Sequence, residues 1–382
     1  MNAPKFQTGE AAPFFRLPTL TAPQFTFSSL GGRYVVLSLL GSSHAHPARQ
    51  ALAAITGTLR KYFDDEKCLF FGLVTDKEEV ARQRLRHVLP GIRFFIDSSG
   101  EVSRRYGALL DGDYLDPALA SYAPATYVLD PSLRVYAAIG FEDADQHNKS
   151  LEQVLKSLPP VADHAGGRLS APVLIAPRIL DLAFCEELVA LYRRHGGEDS
   201  GSMREVNGMT VGVIDHGFKR RSDYIIEDEG VRARLRESLT RRLIPEILRA
   251  FQFRATRIER YIVARYDGES GGFFKPHRDN TTRGTAHRKF ACTINLNAEG
   301  YDGGDLRFPE FGMNAYRAPT GGAVVFSCSL LHEAMPVTRG ERFATLPFLY
   351  DEDGAKIREA NISFLARNDA SAPAKDPAAP PS

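Results

Sequence analysis

The chain has no excess of charge of either sign. Its 48 Lys and Arg stand against 47 Asp and Glu, a formal net charge of +1. That balance gives no electrostatic case for a nucleic acid or an anionic membrane as partner. No apolar run approaches the length that spans a bilayer. The first residues lack a basic stretch followed by a long apolar core, so no secretory signal is expected. Cysteine is scarce: Cys68, Cys185, Cys292 and Cys328 are scattered, with no CxxC pair. Cys292 and Cys328 sit in apolar, strand-like segments and read as small buried hydrophobes. A reducing cytoplasm fits that usage. Local basic runs do occur, at Lys219-Arg220-Arg221 and among the arginines of 231–243. Acidic neighbours make the second run a solvated helix face.

What is present is enough chain for two cores, at 382 residues. Composition shifts after Pro159-Pro160, through a polar stretch ending at Gly166-Gly167, to an apolar segment at 171–175. The expected division is a first domain at 1–160, a linker at 161–172, and a second domain at 173–367 with its core at about 257–352. The tail, 368–382, is mostly Ala, Pro, Ser and Asp and is expected to be disordered.

The first half alternates strand and helix signals. Buried strands are expected at 34–40, 69–75 and 93–96, and a hairpin-like pair at 126–129 and 135–139. Helices are expected at 48–63, 77–88, 103–106 and 151–157. This order argues for an α/β sandwich with a largely parallel centre. Ordered pieces then carry a resemblance: Gly9-Glu10-Ala11-Ala12-Pro13-Phe14-Phe15, Phe95-Ile96-Asp97, Tyr106-Gly107 and Pro124-Ala125-Thr126-Tyr127-Val128-Leu129-Asp130. Over about residues 6–158 the chain resembles the peroxiredoxin branch of the thioredoxin fold. Peroxiredoxins place a thiolate where a helix follows the first core strand, and the helix dipole lowers its pKa there. Here that stretch is Gly41-Ser42-Ser43-His44-Ala45-His46-Pro47-Ala48, without cysteine. Thiol peroxidase chemistry is therefore not expected. His44 and His46 read as surface residues.

The second half opens with helical patterns at 179–195 and 230–251, the latter interrupted by Pro245. Strand signals follow at 256–266, 290–296, 305–308, 323–327, 331–336 and 342–350. Helices against many short antiparallel strands suggest a double-stranded β-helix, a jelly roll with supporting helices. Within it stand His277-x-Asp279, then His332, then Arg342 ten positions later. Two imidazoles and a carboxylate can hold one face of an octahedral Fe(II) and leave the other positions open. Residues two apart on a strand point to one side, so His277 and Asp279 can converge on one ion.

The surrounding pieces are Tyr266-Asp267-Gly268, Phe274-x-x-His277-x-Asp279, Ala291-Cys292-Thr293-Ile294-Asn295-Leu296-Asn297, Gly303-Gly304-Asp305-Leu306-Arg307-Phe308, Pro319-x-x-Gly322-x-x-Val325-Phe326, and His332-x-x-x-Pro336-Val337-x-x-Gly340-x-Arg342. From about 173 to 352 the chain resembles an Fe(II)- and 2-oxoglutarate-dependent dioxygenase of the prolyl 4-hydroxylase type. The resemblance implies His277, Asp279 and His332 as iron ligands. It implies Arg342 as the bidentate partner of the far carboxylate of 2-oxoglutarate. Tyr266 is a candidate hydroxyl donor to the same cosubstrate, with core packing as the competing role. Asn295 stands where some relatives carry a second cosubstrate-contacting tyrosine. Thr345 is set aside by strand parity, and Arg278 should point away from the metal. The loop 280–286, ahead of His287 and Arg288, is either a lid over the substrate or a plain surface loop.

The implied activity is hydroxylation of a peptide, protein or small-molecule substrate, a prolyl or other amino-acid residue among them. 2-Oxoglutarate and O2 would be consumed and succinate and CO2 released, with L-ascorbate as reductant. The alternative is a low-turnover sensor of iron and 2-oxoglutarate that uses the thioredoxin-fold domain to bind partners. A homodimer stays open.

Overall fold

Tyr34–Gly41 and Cys68–Val74 are buried at every position, which is why both read as unbroken apolar runs. They lie parallel at the centre of a five-stranded sheet ordered Ile92–Ile96, Cys68–Val74, Tyr34–Gly41, Ala125–Leu129, Val135–Gly140. Ala125–Leu129 runs antiparallel to both of its neighbours, and Val135–Gly140 returns to the direction of the first three. One face carries Ala48, Ala51 and Ile55 of the helix His46–Thr56 and Leu151 and Leu155 of Ala144–Ser157. The other face packs Phe15, Phe27, Val102 and Tyr106 against Leu37, Phe71 and Phe95. This is the expected thioredoxin-like sandwich.

This computed structural model describes residues 4–76, 78–82, 84–109, 122–141 and 143–366. The expected tail at 368–382 lies outside them. The described chain divides into two compact units, one up to 170 together with 309–313, the other comprising the remainder from 171.

The helix expected over 77–88 shrinks to Glu78–Ala81. Val88 and Ile92 exchange backbone hydrogen bonds across Leu89-Pro90-Gly91. That tight turn, with a residue before proline that disfavours helix, competes with continuation of the helix.

The second unit is built from antiparallel strands in two sheets. The larger runs Arg257–Glu259, Phe348–Tyr350, Phe290–Asn295, Val337–Thr345, Ile262–Asp267, Ser222–Ile225, Glu198–Asp199. The smaller runs Lys219–Arg220, Phe273–His277, His332–Ala334, Leu306–Arg307, Ala315–Tyr316. Helix Leu182–His195 and the helical stretch from Glu229 cover one face of the larger sheet, burying Leu188, Leu235, Leu243 and Ile247 against Val263, Ile294 and Phe343. Alternation then sends Tyr266, Ala264, Arg342 and Ala344 to the opposite face. Together these make the expected jelly roll with supporting helices.

Local chemistry explains the departures. The segment expected as one strand over 256–266 breaks at Arg260, whose φ is +80°. The helix expected over 230–251 becomes Glu229–Ser238, a wider turn at Leu239–Leu243, and Ile244–Phe251 with Pro245 in its first turn. Proline cannot donate to the preceding turn, and the wider turn absorbs the missing bond. A hairpin, Ser202–Val206 with Met209–Val213, closes on Asn207-Gly208, both at positive φ. Helix Glu352–Asn361 begins at Asp351, whose carboxylate accepts from the Gly354 N–H.

Candidate metal centre

His277 and His332 stand directly opposite each other on paired antiparallel strands. Between the pairs Phe274–Ala334 and His277–His332, Lys275 and Pro276 stand against Glu333 alone, a bulge. Bulges re-aim a side chain, and Pro276 is tolerated there because the position gives no ladder bond. The bulge also brings the Lys275 carbonyl to His277, whose Nδ1 lies 2.8 Å away. His332 does the same with the Leu330 carbonyl at 3.0 Å. A carbonyl only accepts, so each Nδ1 carries the proton and each Nε2 offers its lone pair.

Both Nε2 atoms face Asp279. His277 Nε2 lies 3.6 Å from Oδ1 and His332 Nε2 lies 3.3 Å from Oδ2. One ligand atom from each residue falls within 4.8 Å of the others. Among the described residues this is the one such cluster. His44 and His46 are exposed and outside it. The Asp279 N–H donates to the Cys328 carbonyl and fixes the turn after the strand.

Aromatic rings wall the imidazoles. Phe274 stacks on His277 with centroids 3.5 Å apart, and Phe326 lies 4.5 Å from His332. Burial, helped by the neighbouring His332, pushes His277 down to about 4. It is therefore neutral at physiological pH, as a ligand must be. Burial alone would raise Asp279, but the His332 and His277 imidazoles overrule it and hold the carboxyl well below its usual range. A carboxylate faced by the Nε2 atoms of two imidazoles fits a divalent transition metal.

The cleft over this cluster has a volume of about 460 Å³ including its open mouth. Arg342 and Tyr266 both line it. Arg342 is 2% exposed, and its Nε and Nη1 have no hydrogen-bond partner. A buried guanidinium with unpaired donors needs an anion. A carboxylate such as the far end of 2-oxoglutarate fits it. Gly304, at φ +69°, makes room: a Cβ there would lie 2.8 Å from Val337 Cγ2 and 3.1 Å from Arg342 Cδ. The Tyr266 hydroxyl accepts from Arg221 Nη1 at 3.4 Å.

The other candidates fall elsewhere. Asn295 is not among the residues lining the cleft, and its amide donates to the Ala318 carbonyl at 2.7 Å. Thr345 is fully buried and also absent from the cleft wall. Arg278 is half-buried, with its guanidinium on the Ser329 carbonyl. The loop after Asp279 is anchored and partly buried, so it is not a plain surface loop. Thr282 and Thr285 cap each other, and His287 and Arg288 are buried against the carboxylate of Glu259. Burial would raise Glu259, but Arg288 and His287 hold it well below the carboxylate range.

Sequence reasoning missed Arg221 and Arg260, which line the cleft, and Asp223, which both arginines touch. The Lys219-Arg220-Arg221 run was the available signal. Lys219 and Arg221 are buried and Arg220 is exposed, the alternation of a strand.

In the first unit the stretch 41–48, which has no cysteine, carries Ser42 and Ser43. Their hydroxyls donate to the fully buried carboxylate of Glu79 at 3.1 and 2.7 Å. Burial pushes the Cys68 thiol up to about 12, far from a thiolate nucleophile.

Residues 261–350 match the family model of the 2OG-Fe(II) oxygenase superfamily, and residues 8–138 match that of the AhpC/TSA family. The chain carries a 2OG-Fe(II) oxygenase region behind an AhpC/TSA region. The oxygenase region is similar to a PKHD-type hydroxylase of Acinetobacter baylyi, 30% identical over 151 residues, which covers 37% of this chain and 64% of that protein. A second PKHD-type hydroxylase, of Maricaulis maris, is 34% identical over 96 residues, 24% of this chain and 42% of its own. The chain thus spans less than two thirds of the length of these relatives. Among solved structures, the viral collagen prolyl hydroxylase of Paramecium Bursaria Chlorella virus-1 is 15% identical, with a TM-score of 0.34, covering 47% of this chain and 96% of its own.

Proposed function

We propose that this protein is an Fe(II)- and 2-oxoglutarate-dependent dioxygenase that hydroxylates its substrate and releases succinate and CO2. The observation that carries the reading is the pairing of two unsatisfied sites in one cleft. One is the His277, Asp279 and His332 cluster with both Nε2 lone pairs turned inward. The other is the buried Arg342 fork with two donors unpaired.

In this reading His277, Asp279 and His332 hold the iron. Arg342 binds the C5 carboxylate of 2-oxoglutarate, and Tyr266 borders it. Iron held there supplies the site at which O2 is activated at the expense of 2-oxoglutarate. The chain's own groups do the rest. The Lys275 and Leu330 carbonyls fix both imidazole tautomers. Phe274, Phe326, Leu306 and Phe348 keep the cleft wall apolar and exclude water. Ascorbate would serve as the reductant after unproductive turnover. The four cysteines are buried and free, which suits a reducing cytoplasm. No helix among the described residues is long and apolar enough to cross a membrane.

Purified protein supplied with Fe(II), 2-oxoglutarate and ascorbate should form succinate above a His277→Ala control. Equal succinate from both proteins, across a substrate panel, would sink the proposal.

A further inference from the structure

The iron and 2-oxoglutarate reading leaves two cations of the cleft wall without a task. Arg221 and Arg260 both line the cleft. Their Nη2 atoms lie 2.6 and 3.0 Å from the same oxygen, Oδ2 of Asp223. The Ser200 hydroxyl lies 2.6 Å from that oxygen, and Lys219 Nζ reaches Ser200 Oγ and the Gly201 carbonyl at 2.7 Å each. Two guanidiniums therefore share one carboxylate, and Lys219 is joined to it only through Ser200. Glu259, beside Arg260 in the chain, is already held by Arg288 and His287.

Charge balance sharpens this. Iron(II), dianionic 2-oxoglutarate, the Asp279 carboxylate and the Arg342 guanidinium together carry no net charge. The Lys219, Arg221, Arg260 and Asp223 group keeps a surplus of positive charge even if buried Lys219 is neutral. Burial without a counter-charge is unfavourable, so the surplus calls for an anion.

Two further observations point to a ligand. Arg221 is 7% exposed and its Nε has no partner. Arg260 sits at φ +80° between Arg257–Glu259 and Ile262–Asp267, where a glycine or asparagine would sit without strain. Strain of this kind persists at sites that use it. The Arg260 guanidinium lies 5.5 Å from the Phe348 ring centroid, so its fork borders the apolar wall.

We infer that the substrate of this oxygenase site is an acid, presenting a carboxylate to Arg260 and Arg221. The inference rests on the site being a 2-oxoglutarate-dependent iron centre. The apolar side chains of Phe274, Leu306, Leu346 and Phe348 line the same cleft as those arginines and the metal cluster and suit an aliphatic body. The carboxylate can belong to a free small acid or to an acidic residue in a peptide. The recognition chemistry is the same, a guanidinium fork on a carboxylate.

The test uses the full chain loaded with zinc, which holds 2-oxoglutarate without turnover, and calorimetric titration. The probes are N-acetylglutamate against its diamide, and acetyl-Gly-Glu-Gly-amide against its Gln counterpart. At least one acid should bind more than about tenfold tighter than its amide. The pair that discriminates identifies the source of the carboxylate. In Arg260→Met the preference should fall below about twofold, while 2-oxoglutarate affinity changes little. Arg260→Gln, which keeps a donor for Asp223, serves if the methionine variant does not fold. Equal binding of acid and amide in both pairs overturns the inference, as does a preference that survives in a folded Arg260 variant. A loss confined to 2-oxoglutarate affinity also overturns it, because Arg260 would then serve the cosubstrate. Failure of the zinc protein to bind 2-oxoglutarate sinks the proposed function instead, and the acid-against-amide comparison made without cosubstrate still decides this one.

Discussion

Tyr266 and Arg342 face each other in direct register on neighbouring antiparallel strands, with the guanidinium carbon 4.8 Å from the ring centroid. The ring holds the guanidinium by packing and by cation–π attraction, so its unpaired Nε and Nη1 are fixed before any anion arrives. Preorganisation of this kind lowers the ordering cost of binding. Charge-assisted hydrogen bonds are each worth about 1.5–3 kcal/mol. Arg342→Met should therefore raise the KM for 2-oxoglutarate on the order of 100-fold. Arg342→Lys keeps the charge, loses the fork and should fall between. Initial succinate rates at varied 2-oxoglutarate check this; a KM within twofold of wild type for the methionine variant would remove Arg342 from the cosubstrate site.

The inward lone pairs of His277 and His332 make a separate prediction about metal. Loss of an outer partner of a metal ligand typically costs about 10–100-fold in affinity, and loss of the ligand itself costs more. Asp279→Ala and His332→Ala should each weaken Fe(II) binding by more than about 100-fold. Chelation of wild type should abolish succinate formation, and Fe(II) should restore it where zinc does not. Metal content after dialysis and the rescue series are the measurements. Full activity in chelator would refute the assignment.

Much of this site was legible because its chemistry is carried by residue type and strand parity. His277, Asp279 and His332 lie together and Arg342 lines the same cleft, and the fold that brings them together follows from alternating burial in short strands. The bulge at Lys275-Pro276 was not legible, since it depends on pairing with Glu333 from a distant strand. Arg221 and Arg260 escaped notice for a related reason. Arg260 reaches the cleft through a positive φ that no pattern announces, and Arg221 lies between two short strands whose partners, Phe273–His277 and Ile262–Asp267, are distant in sequence. Asn295 shows the opposite error. A position in a motif does not say where an amide points, and here the Ala318 carbonyl takes it.

The loop behind Asp279 is anchored by Glu259, whose Oε1 lies 2.7 Å from Arg288 Nη2 and whose Oε2 meets His287 Nε2. The three groups are nearly inaccessible. Breaking a buried pair from one side leaves the other charge uncompensated, at roughly 3–5 kcal/mol. Glu259→Gln should destabilise the protein by an amount of that order, read from urea denaturation. A loss below about 1 kcal/mol would mean that the anchor is not electrostatic.

In the first unit, His147 is 1% exposed, its Nε2 lies 2.9 Å from Thr126 Oγ1, and its ring stacks 3.8 Å from Phe141. Thr126 Oγ1 in turn lies 2.7 Å from Ser38 Oγ. Burial pushes His147 from the usual 6.5 down to about 4, against a weaker opposing bond to Asn148. The unfolded chain therefore binds the proton more readily than the folded one between those values. Stability contributed by the neutral ring is fully present above pH 6.5 and is lost as pH falls toward 4, on the order of 3 kcal/mol across the window. Urea denaturation of the full chain at pH 7.5 and pH 5 should show a larger drop for wild type than for His147→Gln. Parallel drops in the two proteins would show that the ring protonates as easily folded as unfolded.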